Sequence, residues 1–118
     1  MKHSKEQIEE IRNLLMKREL ADRILSSTKT KGRYYLVLNT ARDATNPKGE
    51  KSIVYVALFG DYDIWTMPEG IFYGTRTVQG ITYPMFDYAI EDDEAMDAIL
   101  SWYDHNKKNN NLGDNDNG

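Results

Sequence analysis

The chain has 118 residues, a length of about one domain, with 40% hydrophobic and 29% charged residues. That is enough apolar matter for one modest core and too little for a membrane span, and no apolar run nears the ~18 residues such a span needs. With no cysteine, disulfides, thiolate metal sites and cysteine nucleophiles are all excluded.

The net charge of -4 is unevenly spread. Residues 1–30 carry a small positive excess, 31–89 balance, and 90–118 are strongly acidic. Nucleic-acid binding needs a clustered basic surface. No such cluster is present, so DNA and RNA are not expected partners. The basic start Met1-Lys2-His3-Ser4-Lys5 runs into Glu-rich sequence instead of an apolar stretch, which argues against a secretory signal and for a cytoplasmic protein without membrane attachment.

Residues 1–30 read as an amphipathic helix and a link. Ser4 and Gln7 have capping-box spacing. Ile8, Ile11, Leu14, Leu15, Leu20, Ala21, Ile24 and Leu25 then recur at threes and fours, with a falter at Lys17-Arg18-Glu19. One helix carrying that stripe from Ile8 to Leu25 would be about 27 Å long. A small β unit cannot cover such a face, so a homodimer through the N-terminal helix is expected.

Residues 31–89 read as a small β domain. Tyr34-Tyr35-Leu36-Val37-Leu38 has strand composition, 43–50 reads as a loop, and Ser52–Phe59 is apolar at every position after the first, as in a strand covered on both faces. Gly60-Asp61-Tyr62-Asp63 turns the chain, Ile64–Met67 is a short strand, and Pro68-Glu69-Gly70 breaks it. Val78-Gln79-Gly80-Ile81 predicts a tight hairpin, and Pro84 places the last strand on an edge. Residues 90–105 predict a second helix, opened by Asp92, Asp93 and Glu94 and carrying Met96, Ile99, Leu100 and Tyr103 on one stripe. Residues 106–118, mostly Asn, Asp, Lys and Gly, predict a disordered tail. The predicted class is α+β: a small SH3-like curled sheet or barrel of four to five strands, flanked by an N-terminal and a C-terminal helix.

The middle of the chain resembles a known family. Gly32, Tyr35-Leu36-Val37-Leu38, Ala41-Arg42, Val54-Tyr55, Ala57-Leu58-Phe59-Gly60-Asp61, Trp65, Pro68, Phe72, Val78, Gly80, Pro84 and Phe86 are similar to the signature of a small bacterial and phage family catalogued as domain of unknown function sixteen-fifty-three. The resemblance spans 32–88 and implies a compact β domain without an established activity. Where the family has His after Ala-Arg this chain has Asp43, and Met67 and Met85 stand where Arg is usual. The family's occurrence implies a phage accessory role, inhibiting a host factor or sequestering a signal molecule.

Catalytic chemistry finds few candidates. The histidines are His3 and His105, both outside the β domain. Asp61 and Asp63, near Asp43 or Glu69, are the possible acid/base pair of a metal-dependent hydrolase, the alternative function; Asp61 as a turn residue is the simpler reading. Asp61-x-Asp63 fails as a calcium loop, since Trp65 takes the third ligand position, and no phosphate-binding glycine motif is present. No metal site or cofactor is expected. Aromatic residues are the abundant resource, with eleven of thirteen inside 31–89. On strands, adjacent aromatics point to opposite faces, so some either pack beneath the helices or line a groove. The leading reading is a non-catalytic binding module for a protein segment or small nucleotide-like ligand. Tyr62, Trp65, Tyr73 and Arg76 would supply stacking and hydrogen bonds and Arg42 charge, with Trp65 either half in the core or on the groove wall.

Overall fold

The computed structural model describes residues 1–116, and side chains through 109. In chain order the elements are α1 (Lys5–Lys17), a 3-10 turn (Ala21–Arg23), β1 (Ile24–Ser27), β2 (Tyr34–Ala41), β3 (Ser52–Ala57), β4 (Ile64–Pro68), α2 (Glu69–Phe72), β5 (Thr75–Val78), β6 (Ile81–Pro84), β7 (Phe86–Tyr88) and α3 (Asp93–Asp116). The α+β class with a helix at each end is as predicted.

The capping box forms: Gln7 N–H donates to Ser4 Oγ, and Ser4 N–H to Gln7 Oε1. The helix nevertheless stops at Lys17, where the stripe falters. Glu19 takes φ 59°, the Glu19 N–H bonds Met16 O, and the Leu20 N–H bonds Leu15 O at 2.8 Å. These are the two bonds of a Schellman motif, with glutamate in the left-handed position that glycine usually fills. The single helix expected from Ile8 to Leu25 is therefore corrected. Its second half, Ile24-Leu25, is a strand inside the sheet, and α1 spans only about 20 Å. The length argument for a homodimer loses its premise with it.

Five strands form one antiparallel sheet in the order β4-β3-β2-β1-β7, and β5 pairs with β6 alone. The main sheet is open, with β4 and β7 at its edges, so of the expected curled sheet or barrel the barrel is not formed, and the chain makes seven strands in two sheets where four to five in one were expected. The main sheet stays open because of its two coverings. On one face Ile24, Tyr34, Val56 and Leu58 pack with Ile8 of α1 and Ala95, Met96 and Ile99 of α3. On the other, Leu25, Val37, Ile53 and Tyr55 meet Phe72 of α2, with Tyr35, Met67 and Phe86 at the margin. Ile24 and Leu25, neighbours in sequence, thus serve opposite faces, as do Tyr34 and Tyr35. Of the Ser52–Phe59 run, Ser52–Ala57 is an interior strand with residues packed on both faces, while Leu58 and Phe59 lie in the bend that follows. The β5–β6 hairpin turns at Gln79-Gly80, both with positive φ (52° and 79°), as a two-residue primed turn requires.

Polar ties lock the helices to the sheet. The buried Arg12 of α1 ion-pairs with Glu9 and Asp93 and donates from Nε to Ile90 O at 2.8 Å. Tyr34 Oη donates to Asp92 Oδ2 at 2.6 Å, and Asp92 Oδ1 accepts the Glu94 N–H at the start of α3. Burial first, and then the Asp92 bond, push the Tyr34 phenol well above its ordinary range. α3 continues past 105 as helix through Asp116, where composition predicts a disordered tail; propagating a docked helix adds a hydrogen bond per residue without a new nucleation cost. The last residues of that predicted tail, 117–118, lie outside the described residues. No helix of the described chain is long and apolar enough to cross a membrane.

Candidate functional site

Beyond the edge of α2, the second face of the sheet is open. β2, β3 and the turn after β3 there present Tyr35, Tyr55 and Phe59, a cluster made by strand alternation. Tyr35 packs edge-on against Tyr55 (centroids 5.8 Å), Phe59 (5.5 Å) and Phe86 (5.4 Å). β4 adds Trp65, which the register sets directly opposite Tyr55. Tyr55 is 7% exposed while Trp65 is 53% exposed, so the cluster grades from core to solvent within one strand spacing.

These rings and the 60–63 turn form a concavity of about 480 Å³, lined by Arg33, Tyr35, Tyr55, Ala57, Phe59, Gly60, Asp61, Asp63 and Trp65. Gly60 (φ 60°) and Tyr62 (φ 57°) both adopt left-handed backbone in that turn, which swings Asp61 and Asp63 to the basin and Tyr62 away from it. Arg33 also lines the basin, its guanidinium carbon 4.8 Å from the Phe59 ring centre, a cation–π contact. The lining thus combines stacking surface, one cation and two carboxylates. It can hold an amphipathic side chain and neutralise a positive charge. Among the described residues no group of three or more His, Asp or Glu side chains is arranged to hold a metal ion.

The residues singled out from sequence fall in separate places. Trp65 lines the basin, as do Asp61 and Asp63 of the alternative reading. Tyr62 packs on the helix side, its ring 5.0 Å from that of His105. Arg42 lies in the β2–β3 loop and donates to Pro47 O. Tyr73, beside Phe72, lines a smaller concavity with Pro84, Phe86 and Tyr88. Arg76 of β5 donates from Nη2 to Met85 O, and its buried Nε has no partner. Sequence reasoning missed Arg33, Tyr35, Tyr55 and Phe59 as liners. A period-two reading carried the signal, since Arg33 and Tyr35 share one strand face and Tyr55 pairs with Trp65 across the next ladder.

Several of these liners also belong to the motif noted in the sequence. A family model matches residues 30–88, which is 59 of the 118 residues. The chain belongs to the family described as Protein of unknown function (DUF1653). The DUF1653 segment contains every residue of the basin and begins after β1, while the helices that cover the other sheet face lie outside it. No curated protein and no solved structure matches the chain. Of the positions where the chain departs from the DUF1653 pattern, Met67 packs at the margin of the Tyr55–Phe72 cluster, Asp43 bonds Thr45 in a loop, and the Met85 carbonyl accepts from Thr28.

Proposed function

We propose that this protein is a non-catalytic binding module that takes a protein segment on the aromatic basin around Trp65. The observation that carries the reading is the exposure of Trp65 over a concavity whose other walls are Tyr35, Tyr55 and Phe59. An indole left half in water on a small domain is an interaction surface more often than a packing device, because tryptophan concentrates binding energy at protein interfaces. Charge favours a protein segment over a nucleotide-like molecule: Asp61 and Asp63 outnumber Arg33 and would repel a phosphate.

The test is selection of random decamer peptides displayed against the full chain, followed by affinity measurement on Trp65→Ala. Peptides should be enriched and should bind the Trp65→Ala protein about tenfold more weakly, the loss of one anchoring aromatic. Failure to enrich any peptide, or equal affinity for both proteins, overturns the proposal.

A further inference from the structure

We infer that the bound segment is an extended, basic one that adds to the sheet along the free edge of β4, laying a lysine or arginine side chain across Trp65 toward Asp61 and Asp63. This rests on the binding reading above and adds the geometry and chemistry of the partner.

β4 has a neighbour on one side only. Its ladder fixes which backbone groups are free. Ala57 N–H donates to Asp63 O at 3.0 Å, and Glu69 N–H donates to Lys51 O at 2.9 Å. In an antiparallel ladder the inward residues alternate, so 63, 65, 67 and 69 direct their backbone groups to β3. Ile64 and Thr66 then present their N–H and C=O groups outward, while Pro68 has no N–H and ends the usable edge. A short incoming strand can pair with Ile64 and Thr66, with Trp65 between them on the basin face.

Proteins guard such edges with lysines, inward charges or very short strands. The opposite edge, β7, is three residues long and carries Asp87. β4 reads Ile-Trp-Thr-Met-Pro, with no charge and with Ile64 and Trp65 both more than half exposed. Its one guard is Pro68, at the end far from the basin. An edge left open beside an aromatic concavity has the layout of strand addition, in which main-chain bonds supply affinity and a pocket beside alternate side chains supplies specificity.

Charge complementarity selects the occupant. Arg33 is drawn over Phe59, while the exposed Asp61 and Asp63 leave the lining with two carboxylates to one cation. A lysine or arginine stem can lie on the Trp65 ring and present its head to those carboxylates. A second copy of this chain, pairing β4 with β4, brings no cation, because β4 is uncharged.

The experiment uses the decamers enriched on the full chain, so its failure is distinct from failure of the binding reading, in which nothing is enriched or Trp65→Ala binds equally. Enriched sequences should carry Lys or Arg among β-branched residues. Asp61→Asn with Asp63→Asn should weaken them about tenfold, the scale of a charge-assisted contact. Thr66→Pro should weaken them comparably while its circular dichroism stays native, since the lost N–H faces away from β3. Single N-methylation along the peptide should abolish binding at every second residue and leave the residues between unaffected. If Thr66→Pro does not fold, the N-methyl scan on the natural chain decides. Peptides that depend on Trp65 but lack a basic residue, or an N-methyl scan without period two, overturn the inference and leave the basin reading standing. Sedimentation showing a dimer that Thr66→Pro abolishes would assign the edge to a second copy and also overturn it.

Discussion

Tyr55 and Trp65 stand opposite each other on adjacent strands, one ring buried in an aromatic cluster and the other half in water. Substituting Trp65 should therefore be mild for the fold. Trp65→Ala should cost about 1 to 2 kcal/mol, the transfer free energy of the buried part of the ring, instead of the ~3 to 5 kcal/mol of a fully buried aromatic. Urea unfolding measures it, and a loss above that lower range would place Trp65 in the core.

Phe72 is the contrasting position. It is 1% exposed on a single-turn helix, with Phe86 at 4.6 Å, Tyr73 at 5.0 Å and Tyr55 at 5.1 Å between ring centres. No other helix covers that face, so Phe72→Ala should cost about 3 to 5 kcal/mol and open the β5–β6 hairpin away from the sheet. Native-state hydrogen exchange should show residues 70–86 losing protection before β2 and β3. Uniform loss across the sheet would show that the hairpin is held by other contacts.

Periodicity revealed much of this fold. The capping box at Ser4, the doubly covered strand that opens at Ser52 and the Gln79-Gly80 turn are each set by local chemistry, and each begins where the pattern puts it. β1 was hidden because Ile24 and Leu25 suit a helical stripe and a two-faced strand equally, and periodicity alone cannot separate these over four residues. The helix end was hidden because glutamate occupies the position where glycine would have marked it. The basin was half legible. Trp65, Asp61 and Asp63 were named, but grouping them with Arg33, Tyr35 and Tyr55 needs the β3–β4 register, a long-range fact. Tyr62 was misdirected by its place between the two aspartates, since its left-handed backbone sends it to the helix face.

The Glu19 backbone makes a prediction of its own. An L-residue in the left-handed region costs about 1 kcal/mol, which glycine avoids. Part of that gain is lost to the greater freedom of glycine in the unfolded chain. Glu19→Gly should raise stability by about 0.5 kcal/mol, visible as a small rise in the thermal midpoint. A fall would mean that the Glu19 side chain holds the α1–β1 connection.

The start of the chain is held to α3 by His3. Its Nδ1 lies 2.7 Å from Asp97 Oδ1 and its Nε2 2.9 Å from Asp104 Oδ2, while the Lys2 and His3 N–H groups donate to the same Asp97 oxygen. With a carboxylate at each ring nitrogen, the imidazolium, which donates from both, satisfies the arrangement. The bond to Asp104, then that to Asp97, raise the His3 pKa above its ordinary 6.5 and outweigh partial burial. Burial pushes the Asp97 carboxyl up, but the bonds from His3 and the two backbone N–H groups prevail and hold it below 3.8. A raised imidazole contributes stability that is complete below pH 6.5 and lost as pH climbs through the folded value. A lowered carboxyl contributes stability that is present above 3.8 and lost as pH falls through its folded value. The contact is therefore complete between about pH 4 and 6.5 and fades on either side. Asp104 is exposed, so the gain is screened to the scale of a surface pair, at most about 1 kcal/mol. His3→Gln should lower the thermal midpoint by about 3 °C near pH 5.5 and by progressively less as pH climbs above 6.5 through the raised folded value, where the natural chain loses the charge as well. An equal deficit across that range would mean that His3 acts by shape and neutral hydrogen bonding, and that the charge on its ring contributes nothing to holding the start of α1 against α3.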